Sequence, residues 1–563
     1  MSNNVAATET TEDQRSAINS SHATKDLIQG GKPEAIEYAD RSHEPVPHFH
    51  AKTFLILFAV MAVYFAQLVH LVGTGAYARA ITSTVGGSQD AVWMASIAVI
   101  VTVVASPPVS QAADYWGRRW FMIITTFCGV VGSVIIARAM SIGTALAGAV
   151  ITSLSFGAQP LLHAVASEVI THRNRAAAQA VINAANGLGG ITGILMGAAF
   201  TQDGNPDGFR NYWYVTAGIY ALATIILVVC YTPPLRETQL RYTFREKLRH
   251  LDWIGYVLLA LGLVLFVMGL SWAENPYSWK DAHVLGPLLA GAVISILFIL
   301  YEWRFKSDGM IHHRLFSRDR NFAIALGCIF CEGLVFFAVN AFMAYEVSVL
   351  YDSDTMRVAL HFSVTLFVYS LCVIGPAIYC YKTRRVRVLA MSGFACFLTG
   401  NICMATLGLG SAKAAWGYPV FFGAGLAICI TVLLTAAQLS APPELIAITS
   451  GLMISVRSLG GAVGLAIYTA AFNSKLSETA GKKIANAVLP LGLPSSSLSL
   501  LILDILTGNI GGLPDIPGIS PQIIQAGVLA FQQAFAESIR AVWITAACFT
   551  AAALVGEFLC TSD

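Results

Sequence analysis

The chain has 563 residues, of which 56% are hydrophobic and 12% charged, with a mean hydropathy of +0.65 and a formal net charge of +2. That charge is too sparse to cover the surface of several soluble domains, and its balance is too neutral to argue for a nucleic-acid partner. The composition calls instead for an all-α protein embedded in a lipid bilayer.

Residues 1–50 are rich in Ser, Thr, Asn, Glu and Asp and hold no apolar core of a signal peptide, so they read as a disordered cytosolic tail. A hydrocarbon core roughly 30 Å thick needs about 20 apolar residues per helix. On that basis the chain predicts spans over Thr53–Leu71, Ala91–Ala113, Trp120–Ala137, Ile142–Ala166, Ala176–Phe200 and Tyr212–Tyr231. After a basic segment come Trp253–Trp272 and His283–Tyr301. The last six are Asn321–Tyr345, Val358–Cys380, Val388–Leu407, Ala415–Ala437, Ile446–Phe472 and Ser538–Leu559. The total is fourteen, an even number that leaves both termini on one side. Alternate loops carry 18 Lys and Arg against 6 in the short loops between them, which predicts cytosolic termini. The basic segments divide the chain into a first six-helix bundle (51–231), basic segments with two linker helices (232–320), and a second six-helix bundle (321–563). The connection 473–537 reads as a long extracellular loop whose run Leu498–Leu506 is too short to span.

The chain carries no metal-ligand spacing, phosphate loop or nucleophile elbow, so no catalytic residue, metal or cofactor is predicted. Cys328 and Cys331 form a C-x-x-C inside an apolar run, where they read as helical neighbours and not as a redox or zinc pair.

Charges inside spans are costly, so those that persist are informative. Two sit near the middle of a span: Glu332 in the ninth and Arg457 in the thirteenth. Glu332, Phe336 and Asn340 recur at helical spacing, a face that reads as a cavity lining. A buried carboxylate can carry a proton, whereas a fixed Glu332–Arg457 pair would be structural, and the spacing leaves both open. In the first span Tyr64, Gln67 and His70 share a region, and His163 in the fourth reads as a hydrogen-bonded bundle residue. Gly189, Gly193 and Gly197 form a small-residue stripe for close helix packing. Glu168 and Arg175 read as a bracing salt bridge. Pro107-Pro108, Pro160 and Pro376 mark breaks in site-lining helices.

The turn Asp114-Tyr115-Trp116-Gly117-Arg118-Arg119 joins the second and third spans. Gly117 permits a tight turn and the arginines hold the loop in the cytosol. Asp114 can pair with them or cap the next helix. Asp114, Gly117, Arg118 and Arg119 match the inner-loop signature of the major facilitator superfamily, with Ser110 and Tyr115 off pattern. Gly189-Gly190-x-x-Gly193 resembles the antiporter signature of the fifth helix, Gly190 replacing its proline. Arg457-x-x-Gly460-Gly461 resembles the thirteenth helix of the fourteen-spanner drug:proton antiporters. Gly157–Leu161, Leu251–Gly255, Asn275–Trp279, Asp308–Met310 and Arg320–Phe322 resemble the fungal trichothecene-efflux-pump group within them.

That resemblance implies the major facilitator fold in a 6+2+6 arrangement and alternating access between the bundles. It implies efflux of a bulky apolar compound, such as a fungal toxin, secondary metabolite or drug, driven by a proton gradient with no other cofactor. It further implies a monomer in the plasma membrane, with vacuolar or vesicular membranes as the other settings. In those relatives an aspartate stands near Gln67 and an arginine near Ser153. Siderophore–iron transporters are near relatives, so proton-driven siderophore uptake is the alternative; a polytopic receptor or membrane enzyme is the remaining class.

Overall fold

The computed structural model describes residues 51–87, 91–170, 175–202, 207–233, 243–273, 277–306, 314–317, 320–352, 354–383, 386–441, 445–507, 514 and 516–558. Lys52–Asp563 is one unit, and the fold described is that of this unit. Among the described residues there is no β-strand, and fourteen helices are long and apolar enough to cross a membrane.

The first six are α1 (Ala51–Ala76), α2 (Ala91–Trp116), α3 (Arg118–Ala137), α4 (Ile142–Ser153 and Gln159–Val169), α5 (Arg175–Thr201) and α6 (Gly208–Cys230). The two segments of α4 are joined by a 3₁₀ turn, Leu154–Ala158, just before Pro160. Pro107 and Pro108 do not interrupt α2, which continues through them. Then come α7 (Trp253–Trp272) and α8 (Ala282–Arg304), which pack on each other through small residues: Gly262 against Ser295, Gly269 against Leu288 and Gly291 against Phe266. Their outer faces expose Ile254, Val257, Leu289, Val293 and Ile296, a lipid-facing surface.

The last six are α9 (Arg320–Leu350), α10 (Thr355–Cys372 and Ile374–Thr383), α11 (Arg387–Ala405), α12 (Pro419–Ser440), α13 (Ile446–Val488) and α14 (Pro521–Phe558). The α10 break at Val373 falls three residues before Pro376, which lacks the N–H to continue the ladder. In α9 a π-turn, Val339–Met343, separates two α-helical segments.

The predicted loop 473–537 is largely helical, which corrects that expectation. α13 runs on to Val488 and α14 begins at Pro521, with a short helix Leu498–Thr507 between them. At 43 residues α13 is roughly 65 Å long, well beyond a bilayer's hydrocarbon core. The projecting ends have their own apolar core of Ile484, Val488, Leu501, Ile505, Ile523 and Ala530, and Lys483 pairs with Glu537 at 2.6 Å. Polar residues with good helix propensity hid this extension from a reading based on hydropathy.

Candidate functional site

Backbone contacts without side chains between them set the site. Gly333 of α9 lies against the carbonyl of Arg457 on α13, and Gly460 of α13 lies against the carbonyl of Phe330 on α9. Gly464 meets Leu334. A Cβ at any of these positions would force the helices apart, so the glycines bring α9 and α13 within reach of one ion pair. Arg457 Nε donates to Glu332 Oε2 at 2.6 Å and Arg457 Nη2 to Glu332 Oε1 at 3.0 Å. The fork is bidentate and the Glu332 side chain is wholly buried. The guanidinium also stands over the Phe336 ring, 4.5 Å from its centroid.

Arg457 and Phe336 reach a small central void of about 20 Å³, room for one water, together with Tyr64, Gln159, Asn186 and Tyr369. Beyond it lies a cavity of about 650 Å³, lined by Leu71, Tyr77, Phe337, Phe342, Tyr345 and Phe472 and by the polar Asn340, Asn473, Thr469 and Ser348. Among the described residues no charged side chain lines it. Helices α1, α5, α9, α10 and α13 all contribute, so it lies between the first six and the last six helices. It includes Tyr77, just past the end of α1, and therefore lies toward the face opposite the Asp114–Arg119 turn.

On the turn's side the two sets of helices touch. Ser455 Oγ of α13 donates to the carbonyl of Val103 on α2 at 2.9 Å. Ser167 Oγ of α4 donates to Gln438 Oε1 of α12 at 3.2 Å, and Gln438 Nε2 donates to Ser450 Oγ of α13 at 2.9 Å. Gly187 of α5 accommodates Ser370 and Tyr369 of α10.

The predicted residues divide accordingly. Glu332, Arg457, Phe336 and Tyr64 come together at the floor, while Asn340, four residues on from Phe336 and within the π-turn, lines the wide cavity above. Gln67 does not line either space. Its Nε2 donates to the Ser155 carbonyl at 2.8 Å, tying α1 to the 3₁₀ turn of α4. Tyr64 accepts from Gln159 Nε2 at 3.2 Å. His70 Nε2 bonds Ser153 Oγ at 3.2 Å, and His163 Nδ1 bonds Gln179 Oε1 at 2.6 Å. The first six helices thus hold a neutral network where the last six hold a charge pair.

In the turn, Gly117 has φ +93° and separates α2 from α3. Arg118, buried, lies 3.6 Å from Asp114 Oδ1, so pairing and not capping is the role the geometry gives Asp114. Arg119 Nη2 donates to the Val228 carbonyl at 3.0 Å. A short helix, Phe244–His250, is fastened beneath: Tyr115 stacks on His250, Trp116 meets Phe244 edge-on, and Lys247 stands over the Trp116 ring. Gly189, Gly193 and Gly197 face α1 and its end, against Phe65, Val69 and Tyr77. The side chains of Glu168 and Arg175 lie outside the described residues.

One group escaped the sequence reading. Glu346, near the C-terminal end of α9, is 1% exposed and accepts a hydrogen bond from Trp543 Nε1 at 2.8 Å. The signal was there: Val347, Val349 and Leu350 continue the apolar run past the span's assumed end at Tyr345.

Fourteen apolar helices around a central cavity with a buried ion pair define the class, a polytopic membrane transporter. The family model for the Major Facilitator Superfamily matches residues 53–465, and the chain belongs to that family. Among curated relatives, it is 27% identical to the Acurin A biosynthesis cluster MFS-type transporter of Aspergillus aculeatus over 72% of each chain. It is 24% identical to the efflux pump FUS6 of Gibberella fujikuroi, over 85% of this chain and 83% of the relative. It is 22% identical to the MFS-type efflux pump LUC4 of a Fusarium species, over 96% and 92%. Among solved structures, a POT family transporter in complex with a thioalcohol-conjugated peptide shares the fold with TM-score 0.56 at 15% identity, covering 90% of this chain and 96% of that one. The Escherichia coli xylose transporter XylE does so with TM-score 0.53 at 11% identity, over 89% and 97%.

Proposed function

We propose that this transporter exports a bulky, mostly apolar and uncharged organic compound in exchange for protons. The observation that carries the reading is the cavity of about 650 Å³, rich in aromatic side chains and, among the described residues, free of charged ones, above the buried Glu332–Arg457 pair. Among the described lining residues a charged ligand would find no charged partner. A neutral aromatic one would find Phe337, Phe342, Tyr345 and Phe472 for contact, and Asn340, Asn473 and Thr469 for hydrogen bonds. The relatives named as efflux pumps support export.

Mechanistically, the bundles 51–231 and 321–563 rock about the pair, with 232–320 as the link. Loop charges favour cytosolic termini, which makes the wide cavity open outward. In this state Arg457 neutralises Glu332. Once rocking withdraws the first bundle and opens the pair to water, Glu332 takes a proton and releases Arg457 to solvent or ligand. That step is closed to the dry pair, because a charge left unpaired in a dry interior is costly. The Asp114–Arg119 turn, with Glu168 and Arg175, latches the closed inner face. The protein works as a monomer in the plasma membrane.

The test is uptake of radiolabelled neutral aromatic compounds into proteoliposomes under an imposed pH gradient. Wild type is expected to concentrate compound against its gradient and Glu332→Gln is not; a Glu332→Gln protein that still does so removes Glu332 from the coupling. Flux in the opposite direction, with rescue of iron-limited growth, would establish siderophore uptake instead.

A further inference from the structure

The second acid of α9 has no place in that mechanism. Glu346 lies 14 residues beyond Glu332 on the same helix, roughly 21 Å away at helical rise. The π-turn Val339–Met343 separates them. Its side chain points away from the cavity, while its neighbours Tyr345 and Ser348 line it. Only one hydrogen bond reaches its carboxyl among the described residues, from the indole of Trp543, itself fully buried beside Phe422.

The charged groups around it are engaged elsewhere. Following it in the chain, Tyr351 donates its hydroxyl to the Gly408 carbonyl. On α10, Arg357 is exposed and paired with Asp352 and Asp354, and the His361 ring lies against Trp416. On α14, Arg540 donates to the Ala405 carbonyl, and Glu537 pairs with Lys483 of α13. Among the described residues no basic side chain comes within 4.0 Å of the Glu346 carboxyl. A carboxylate so placed is destabilised relative to the neutral acid, whereas one that reaches water is not. The segment Ala344–Leu350 is joined to the rest of α9 through a π-turn, a device common where a helix changes register at a working site.

We propose that Glu346 is a second proton site of this transporter, a neutral acid held by Trp543 while the wide cavity is open, which gives up its proton when Ala344–Leu350 moves to close the mouth. It rests on the reading of the chain as a proton-coupled transporter, but it is independent of Glu332. Proton loss then favours the closed mouth, so acid on the open side favours the open one.

The experiment needs no transported compound. In the full chain reconstituted in liposomes, infrared spectra at neutral pH are expected to contain the carbonyl stretch of a protonated carboxylic acid. That band is lost in Glu346→Gln and kept in Glu332→Gln. Spin labels carried by unnatural amino acids at Thr201 and Ser348, on opposite walls of the cavity, read the width of the mouth. The wild-type distance distribution is expected to shift toward closure as pH rises, and that response is lost in Glu346→Gln. Survival of the band, or an unchanged pH response, in Glu346→Gln overturns the proposal. Should that variant fail to fold, Trp543→Phe keeps the acid and removes its donor. It is expected to move the band to higher wavenumber, and an unmoved band overturns the proposal equally. If Glu332→Gln still concentrates compound, the Glu332 reading falls while the band assignment decides Glu346 separately.

Discussion

The floor of the cavity is built differently on its two sides. From the first six helices it receives Tyr64 and Gln159, with Gln67, His70 and His163 behind them, each hydrogen-bonded to a neutral partner. From the last six it receives a full ion pair, Glu332–Arg457, clamped between glycine-cleared helices. A neutral network tolerates loss of a member, since water or a small rearrangement can satisfy what remains. A buried pair does not, because removing one partner leaves a charge in a dry interior. Among the floor residues the chain has therefore concentrated its electrostatic risk in one half.

The largest test of this contrast is Arg457→Ala. It strands Glu332 and is expected to cost about 3–5 kcal/mol, seen as a large fall in thermal stability of the purified protein, while Glu332→Gln together with Arg457→Met is expected to recover much of the loss. A double variant no more stable than Arg457→Ala would contradict the pairing argument. Next in size is Gly333→Ala, where the new Cβ meets the Arg457 backbone; overpacking of this kind costs about 1–3 kcal/mol, and transport should fall more than stability because the pair is displaced. At the turn, Gly117→Ala strains a backbone at φ +93°, a region open almost only to glycine, at about 1–3 kcal/mol. There Arg118→Ala is expected to slow cycling and leave ligand binding intact; lost binding in a folded protein would refute the latch. On the neutral side, Gln67→Leu removes one bond to the Ser155 carbonyl and is expected to cost about 1 kcal/mol, with transport near wild type. A Gln67 variant as damaging as Arg457→Ala would abolish the contrast.

The smallest effect lies outside the membrane. The His283 backbone N–H, and then its ring, hold the Asp281 carboxyl below its ordinary range. A depressed carboxyl stabilises the fold above its unfolded value, and that stabilisation is lost as pH falls through the folded one. Amides at the start of α8 are therefore expected to exchange faster only at acid pH, a change absent in Asp281→Asn.

How much of this was legible beforehand varies by residue. Fourteen helices follow from lipid-length apolar runs, which need no knowledge of neighbours. The cost of Glu332 and Arg457 in a span marked them too. Their pairing is one of two readings the spacing leaves open, and it is Gly333 and Gly460, lying against each other's helices, that bring the two side chains within reach. Periodicity puts Phe336 and Asn340 on one face; that Phe336 reaches the floor and Asn340 the wide cavity one turn further along depends on the helices opposite. Gln67 was placed near a cavity by position along α1, yet rotation of the helix turned it toward α4.

The amino-acid sequence by itself determined the solvent of this protein, the number of its helices and the few places where charge enters lipid, because those depend on hydropathy and length along one chain. Tertiary structure alone decided which charges meet, which acid is left with only an indole, and where the extended ends of α13 and α14 pack. Those outcomes depend on distances between helices far apart in sequence, and such distances are set by the smallest side chains, whose effect lies in the space they leave.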